Sequence, residues 1–364
     1  MPGWQRWMPI WCCPADTGSA PMKRTDPVAQ TYITVGVLPV TLSACTEETD
    51  PSCTGGSTVT MTGWSRTNGS YTDDLSAGAA RRLSDVAAYR EAVADLLVEL
   101  TAQDRRPTVA VAERLLGRRL AEPVFSTVLS VTPSGAEAAT QRILRDVRSH
   151  RQLSVNSAGD LAAMVRITLL TQIDVLWWGH LPPYKTDADV LADTDLLQLD
   201  GLRHGGMLTF NYRRQATNVI ARAARLAERA AAPSRAPAAA GLRLAYARAE
   251  LVVLLNRIAA DFARLAPPGT PPLWVTSLTR SVAYQRHLRA LGYVALLPSA
   301  HCSGYAADLE MSWYRNFGAD HILQAVLLGH QRYGDVNVID EGQAWHVCVR
   351  PGAGRALRLI PRQR

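Results

Sequence analysis

Apolar residues recur at steps of three and four between residues 86 and 100, a spacing that places them on one side of a helix. They are Val86, Tyr89, Val93, Leu96, Leu97 and Leu100. Comparable stripes follow at 108–120, 136–149, 158–178, 188–200, 215–232 and 240–265. Because Pro, Gly, Ser and Asp supply caps and stops between the stripes, the pattern predicts an all-helical domain of six or seven helices over residues 75–266.

The pattern changes at the proline-rich segment 267–272. Proline lacks a backbone N–H and clashes with the preceding helical turn, so this segment predicts a domain boundary. Beyond it we expect strands at Leu273–Thr276, Val336–Ile339 and Trp345–Val349, and helices at Val282–Leu291 and Ala319–Gly329. The sequence therefore predicts an α+β protein, in which a mainly helical domain precedes a small α+β domain at 267–364.

Residues 1–74 are rich in Thr, Ser, Gly and Pro, which predicts an irregular leader with one strand near Tyr32–Val37. If translation begins at Met22, the segment from Leu42 to Cys45 resembles a lipoprotein cleavage box. In an oxidising compartment Cys45 could instead bridge to Cys53. A disordered or strand-like tail explains the same residues. The sequence is therefore consistent with a protein of the cytoplasm and with one exported to the cell envelope.

The composition limits the classes of protein. With 364 residues, 47% apolar and 20% charged, the chain can bury one or two globular cores and is not disordered throughout. All but two of its 39 basic residues are Arg, as in actinobacterial and other high-GC genomes. They are scattered without stacking aromatics, so we expect no nucleic-acid interface. No apolar run reaches the roughly 18 residues of a spanning helix, so no transmembrane segment is expected.

Two segments beyond residue 267 carry side chains that bind metals. The first, Ser299 to Asp308, places His301 and Asp308 seven residues apart with small residues between them. The second is Trp345-His346 on the last predicted strand. Each residue alone is as well explained by core packing or helix capping. Together, two imidazoles and one carboxylate leave a fourth position for water, which is the open coordination of a catalytic Zn²⁺.

Cys302 and Cys348 lie close to these histidines in the sequence. Side chains alternate between the two faces of a strand, so Cys302 is expected to point away from the face that His301 uses, whereas Cys348 is expected on the face of His346. We interpret both cysteines as small buried residues rather than metal ligands or a disulfide.

These segments resemble the zinc D-alanyl-D-alanine carboxypeptidases and dipeptidases, whose fold is shared by the hedgehog signalling domain. The family pattern, Ser-x-His-x-x-Gly-x-Ala-x-Asp followed by Trp-His, is matched at every fixed position. The matching residues are Ser299, His301, Gly304, Ala306, Asp308, Trp345 and His346. Upstream, Ser277 to Ser281 with Tyr284-Gln285 resembles the family strand that ends in Ser-x-x-Arg-Ser. The resemblance covers about residues 270–351 and does not extend to the helical domain.

The resemblance implies a role for each matched side chain. His301, Asp308 and His346 would bind Zn²⁺. Arg280 would donate hydrogen bonds to the scissile carbonyl and stabilise the negative charge that develops there. The residues expected to contact a short peptide substrate are Ser299, Ser303, Gln343 and Trp345.

One position departs from the family pattern. The family carries a Glu three residues before its second histidine ligand, and Gln343 stands there in this chain. A primary amide cannot act as a general base at neutral pH. Glu341 is the first candidate replacement, provided that the turn at Gly342 directs its carboxylate inward. Asp340 and Glu310 are the alternatives.

These residues favour a zinc-dependent peptidase-like hydrolase acting on short, D-amino-acid-containing peptides of the peptidoglycan type. Because Gln343 replaces the usual base, the alternative is an inactive zinc-binding relative that binds cell-wall peptides or a protein partner. A third hypothesis is a helical interaction protein that the C-terminal domain only stabilises. The sequence leaves open the substrate, the oligomeric state and whether the protein is an enzyme.

Overall fold

A computed structural model describes residues 75–103, 107–150, 161–216, 218–231 and 236–353. Its helices are α1 (Leu75–Gln103), α2 (Val109–Arg119), α3 (Pro123–Ser130), α4 (Gly135–Arg148), α5 (Leu161–Trp178), α6 (Asp187–Ala192), α7 (Leu199–His204), α8 (Val219–Ala231), α9 (Ala249–Leu265), α10 (Val282–Ala290) and α11 (Asp320–Arg332). Its strands are β1 (Leu196–Gln198), β2 (Asn211–Tyr212), β3 (Tyr246–Arg248), β4 (Trp274–Ser277), β5 (Ala306–Glu310), β6 (Val336–Asp340) and β7 (Ala344–Val349). The predicted α+β class is confirmed. The predicted leader, with its strand near Tyr32–Val37, the Leu42–Cys45 box and Cys53, lies outside the described residues.

A five-stranded sheet has the strand order β2-β4-β5-β7-β6. The β2 strand pairs parallel to β4, whereas the other neighbours pair antiparallel. Two short 3₁₀ helices, Ala300–Ser303 and Ser312–Phe317, flank the central strand β5. A separate antiparallel pair joins β1 to β3. The sheet thus brings β5 and β7, far apart in sequence, side by side.

The first core packs helices α1 to α5 against one another. The α1 stripe predicted from the sequence is buried, with Tyr89 and Leu96 fully enclosed. The Tyr89 hydroxyl donates a hydrogen bond of 2.9 Å to the carbonyl of Leu169 on α5, which satisfies its polar group inside the core. The helical prediction for this part of the chain is confirmed, and α3, which begins at Pro123, adds a helix that no stripe indicated.

The second core joins residues from both sides of the proline-rich segment. Phe262 and Leu255 of α9 are fully buried in the same cluster as Leu273, Val275 of β4 and Val347 of β7. Residues 267–272 therefore connect two parts of a shared hydrophobic core. The sheet is supported by α9 as well as by helices that follow residue 272.

Two predicted helices differ in the structure. Residues 188–200 form α6 and then β1, and the residues before Ala249 contain β3 instead of the first turns of α9. Tertiary contacts cause both differences. The strands β1 and β3 pair with each other, and this pairing overrides the helical spacing of the apolar residues. Gly241 lies at the start of the predicted helix 240–265, and its φ of +93° is not helical. A Cβ at this position would meet the carbonyl oxygen of Arg213 at 2.7 Å.

The α5 helix has the length and mean hydropathy of a membrane-spanning helix, which the sequence prediction did not anticipate. Among the described residues it is the helix that is long and apolar enough to span a membrane, with 18 residues and a mean hydropathy of 1.3. However, 67% of it is buried inside the protein. Met164 and Ile167 of α5 pack on Leu296 and on Ile339 of β6. The helix therefore lies between the helical core and the sheet.

Candidate metal centre

His301, Asp308 and His346 converge in the structure as the sequence motif predicts. His301 Nε2 lies 3.1 Å from Asp308 Oδ1 and 3.2 Å from His346 Nδ1, and His346 Nδ1 lies 3.1 Å from Asp308 Oδ1. Ligand atoms at about 2.0–2.1 Å from a tetrahedral Zn²⁺ would lie roughly 3.3 Å apart. The three side chains are buried, and their ligand atoms could therefore hold a metal ion with little rearrangement.

Strand pairing positions two of the three side chains. Asp308 of β5 and His346 of β7 are direct partners across the antiparallel ladder, so both point to the same face of the sheet. His301 comes from the 3₁₀ helix that precedes β5, where Ser299 Oγ accepts a hydrogen bond of 3.3 Å from the His301 N–H. The His301 carbonyl accepts from the Arg280 N–H at 3.0 Å, which ties this turn to the end of β4.

Gly304 ends the 3₁₀ helix and explains the glycine of the motif. Its φ is +85°, and a Cβ there would lie 2.9 Å from Leu196 Cδ2 and 3.2 Å from Arg248 Cγ. A left-handed conformation costs a residue with a side chain roughly 1–2 kcal/mol. The short distance to Leu196 adds a steric cost to this strain.

Gly304→Ala is therefore expected to lower the free energy of unfolding by about 1–3 kcal/mol. Urea unfolding of metal-free protein would measure the change. Gly318→Ala is the matched control, because Gly318 also has a positive φ, of +63°, but no atom lies within 4 Å of the place that a Cβ would occupy there. If both variants lose the same stability, the contact with Leu196 contributes nothing.

In His301 and His346, the ring nitrogen that faces away from Asp308 forms a hydrogen bond to an oxygen. His301 Nδ1 donates to the carbonyl of Leu278 at 2.8 Å, and His346 Nε2 donates to Asp174 Oδ2 at 2.8 Å. These bonds leave His301 Nε2 and His346 Nδ1 free to face Asp308. Outer hydrogen bonds of this kind fix the tautomer and ring orientation of metal-binding histidines.

Asp174 was missed by the sequence analysis. It lies on α5, in the helical part of the chain, and is almost fully buried. The available signal was a carboxylate within an apolar stretch between Ile173 and Val175, because buried acidic residues are rare unless they are paired.

Arg280 contacts the second oxygen of the Asp308 carboxylate. Its guanidinium donates to Asp308 Oδ2, to Ser277 Oγ at 2.6 Å and to Gln285 Oε1 at 3.4 Å. Burial alone would raise the pKa of Asp308, but His301 and Arg280 hold it well below its usual range. The carboxylate is therefore ionised, and the structure places Arg280 at the edge of the candidate site.

His301 and His346 differ electrostatically. Burial lowers the pKa of His301, against the opposing effect of Asp308. Burial would also lower the pKa of His346, but hydrogen bonds to Asp174 and Asp308 raise it well above its usual range. A metal ion would have to displace a proton from His346, so binding should weaken as the pH falls.

Glu341 is the candidate base whose carboxyl group adjoins the site. It lies in the β6–β7 turn, where Gly342 has a φ of +82°, and it borders the same cleft as the three ligands. Burial, with the nearby charge of Asp308, raises the pKa of Glu341 to about 7. The residue as a whole is partly exposed, whereas its carboxyl group is enclosed.

The two alternative bases have other partners. Asp340 pairs with Arg166 at 3.5 Å and accepts a hydrogen bond of 2.7 Å from the Gly342 N–H. Glu310 accepts from the Trp313 N–H at 3.1 Å and so caps the second 3₁₀ helix. Glu310 borders the same cleft as Glu341, but its Oε1 already accepts hydrogen bonds from the Trp313 N–H and the Ser312 hydroxyl.

A cleft of about 740 Å³ opens beside His301, Asp308 and His346. Among the predicted substrate contacts, Ser299 and Gln343 border it, as does Arg280. Ser303 and Trp345, which are both among the described residues, do not line the cleft. The Ser303 hydroxyl turns back to the Ala300 carbonyl at 3.1 Å. Because side chains alternate along β7, Trp345 packs into the core on the face opposite His346.

Cys302 and Cys348 are buried free thiols, in agreement with the sequence prediction. Burial raises the pKa of Cys302 to about 11, so its thiol stays protonated at neutral pH. Burial also raises the pKa of Cys348, with a further contribution from Asp174. A protonated thiol is a poor metal ligand.

Comparison with known proteins identifies no relative of this chain: no protein-family model, no curated protein and no solved structure matches it. The resemblance of residues 270–351 to the zinc D-alanyl-D-alanine peptidases therefore stays a prediction, carried by the motif residues.

Proposed function

We propose that the chain binds Zn²⁺ through His301, Asp308 and His346. The observation that carries the proposal is the convergence of one oxygen and two imidazole nitrogens, buried and pairwise 3.1–3.2 Å apart. Two imidazoles with one carboxylate suit Zn²⁺ better than Mg²⁺ or Ca²⁺, which prefer all-oxygen sites. Three protein ligands are the usual number at a catalytic zinc, where the fourth position stays open.

The proposed reaction is the hydrolysis of a short peptide bound in the adjoining cleft. Zn²⁺, when bound, would polarise the substrate carbonyl and lower the pKa of a water molecule. Glu341 would accept the proton of the attacking water and later deliver it to the leaving amine. Arg280, whose guanidinium already borders the site, would donate a hydrogen bond to the oxygen on which negative charge develops.

The raised pKa of Glu341 supports this assignment. A general base works best when its pKa lies near the working pH, and without a bound metal the pKa of Glu341 is about 7. A bound cation would lower this pKa, because a positive charge nearby favours the ionised carboxylate. Glu341 would then be ready to accept a proton at neutral pH.

The cleft volume supports a small substrate. Its 740 Å³ lies within the range of about 300–1,000 Å³ that is typical of small-molecule sites. A peptide of a few residues fits such a volume, and the resemblance makes D-amino-acid-containing peptides of the peptidoglycan type the first class to test.

A second candidate function rests on Gln343. This exposed amide borders the cleft at the position where the similar family carries its base. If Glu341 does not replace that base, the protein binds zinc and a cell-wall peptide or protein partner without cleaving it.

Purified wild-type protein is expected to hold about one zinc per chain, and His301→Ala is expected to lose it. Elemental analysis covering zinc, iron and manganese would measure the content after zinc loading and dialysis. His330→Ala is the matched control, because His330 is similarly buried but pairs with Asp261 at 3.1 Å and does not line the cleft. Metal-free wild type, or iron retained in place of zinc, would overturn the proposal.

The same preparations would be assayed for the release of D-Ala from a panel of short D-amino-acid peptides. Zinc-loaded wild type should release D-Ala, and His301→Ala should not. Zinc binding without release from any peptide of the panel would favour the non-catalytic function.

A further inference from the structure

The carboxylate of Asp174 lies directly behind His346. Asp174 Oδ2 accepts a hydrogen bond of 2.8 Å from His346 Nε2, on the side of the ring opposite the three ligand atoms. Both side chains are almost fully buried. The contact joins α5 of the helical part of the chain to β7 of the sheet, across 172 positions of sequence.

This contact selects one tautomer of His346. A neutral imidazole carries its proton on one nitrogen, and the carboxylate of Asp174 favours the proton on Nε2. In this tautomer, which a bound metal requires, His346 Nδ1 would present its lone pair towards His301 Nε2 and Asp308 Oδ1, the atoms among which the metal would bind. Without the carboxylate, a proton on Nδ1 would point into the same space and compete with the metal.

Asp174 is itself held in place from two further elements. The Nδ2 group of Asn337 on β6 donates to Asp174 Oδ1 at 2.9 Å and to the Leu170 carbonyl at 3.1 Å. The oxygen of the same amide accepts from Arg90 on α1, at 3.1 Å from one terminal nitrogen and 3.4 Å from Nε. Asn337 is fully buried, so its amide orientation is fixed by these partners.

Arg90 completes this network with a positive charge. Burial lowers the pKa of Arg90 to about 10, and the charge of Asp174 opposes that change. The guanidinium therefore remains charged at neutral pH and balances the buried carboxylate through the intervening amide. Buried polar networks of this kind are stable when every member is satisfied.

We propose that Asp174, held by Asn337 and Arg90, is the positioning residue that orients His346 for metal binding. The inference rests on the proposed zinc site, and it gives the helical part of the chain a function in that site. The motif residues at 270–351 would supply the ligands. Helices α1 and α5 would supply the outer hydrogen bonds that hold one ligand in its binding tautomer.

The test compares zinc affinities of full-length Asp174→Asn and wild type, measured by competition with a chromophoric chelator. Asparagine keeps the shape of Asp174 but carries one oxygen, so it cannot accept from both His346 and Asn337. We expect affinity to fall by roughly 10–100-fold, the usual effect of removing such an outer partner. The matched control is Asp146→Asn on α4, which alters another buried carboxylate, paired with Arg289 at 2.6 Å. Its zinc affinity should stay at the wild-type value.

A second measurement separates orientation from a merely structural contact. In nitrogen-15 histidine spectra of zinc-loaded protein, wild-type His346 should show a protonated Nε2 with a slowly exchanging proton. In Asp174→Asn this proton should exchange faster. If Asp174→Asn does not fold, Asn337→Ser keeps the carboxylate but loosens it, and should lower zinc affinity by roughly threefold to tenfold.

The outcomes distinguish this inference from the proposed function. Failure of wild type to bind zinc would overturn the metal site itself. Zinc binding by wild type with equal affinity in folded Asp174→Asn, or in Asn337→Ser if the first variant does not fold, would overturn the positioning role and leave the metal site standing.

Discussion

Glu341→Gln is expected to lower kcat/KM for peptide hydrolysis by roughly 10²–10⁴-fold while zinc stays bound. Glutamine preserves the size of the side chain and its place in the β6–β7 turn, but it cannot accept a proton from water. The three ligand atoms are untouched, so binding of the ion should not change. Steady-state rates and zinc content measured on the same preparation would give both quantities.

The neighbouring residue provides a matched control for this prediction. Asp340→Asn makes the same chemical change one position away, in a side chain that bonds Arg166 and the Gly342 N–H. Asparagine can still accept from Gly342, so the turn should keep its shape and the rate should change little. Equal losses in both variants would mean that the turn, rather than a base at Glu341, controls the activity.

Gln343→Glu separates hydrolysis from binding. This variant restores the carboxylate at the family position beside the same cleft. If Glu341 is the base, wild type is already active and a second carboxylate adds little. If hydrolysis appears only in Gln343→Glu, wild type is a zinc-binding protein without peptidase activity, and the proposed reaction is wrong.

Several features of the fold could be predicted because they depend on local spacing. The α1 stripe repeats at helical steps, and its members Tyr89 and Leu96 are fully buried. The Ser299–Asp308 motif also could be predicted, because its small residues and Gly304 mark a tight turn between two candidate ligands. In both cases the residues that matter are close together in the sequence.

Other features depend on partners distant in sequence and could not be predicted in this way. The β5 strand is buried along its whole length and so lacks the alternation that marks a half-exposed strand. Residues 246–248 pair with β1 instead of starting α9. Asp174 acquires its partner His346 only when α5 packs against the sheet, so no local pattern connects the two.

The role of Glu341 could be predicted only in part. The sequence made it the first candidate base, with Asp340 and Glu310 as alternatives, but could not show which of the three carboxylates faces the site. The choice depends on the direction of each side chain around the turn at Gly342 and on the cap that Glu310 forms with Trp313. Such directions follow from the paired strands and not from the order of the residues.

Asp308→Ala is expected to abolish zinc binding and also to destabilise the metal-free protein by about 3 kcal/mol. Removing one partner of a buried ion pair typically costs 3–5 kcal/mol, because the remaining charge is left uncompensated. Here that charge is Arg280, whose side chain is 16% exposed. It keeps hydrogen bonds to Ser277 and Gln285, so the loss should lie at the lower end of that range.

Urea unfolding in the presence of a chelator would measure this loss without a contribution from zinc. The double variant Asp308→Ala/Arg280→Ala tests the cause, because it removes the unpaired charge together with its partner. If the cost comes from Arg280, the double variant should be more stable than Asp308→Ala alone. If it is less stable, the destabilisation comes instead from His301 and His346, which each lose their 3.1 Å contact with Asp308 Oδ1, and the ion pair contributes little to the folded state.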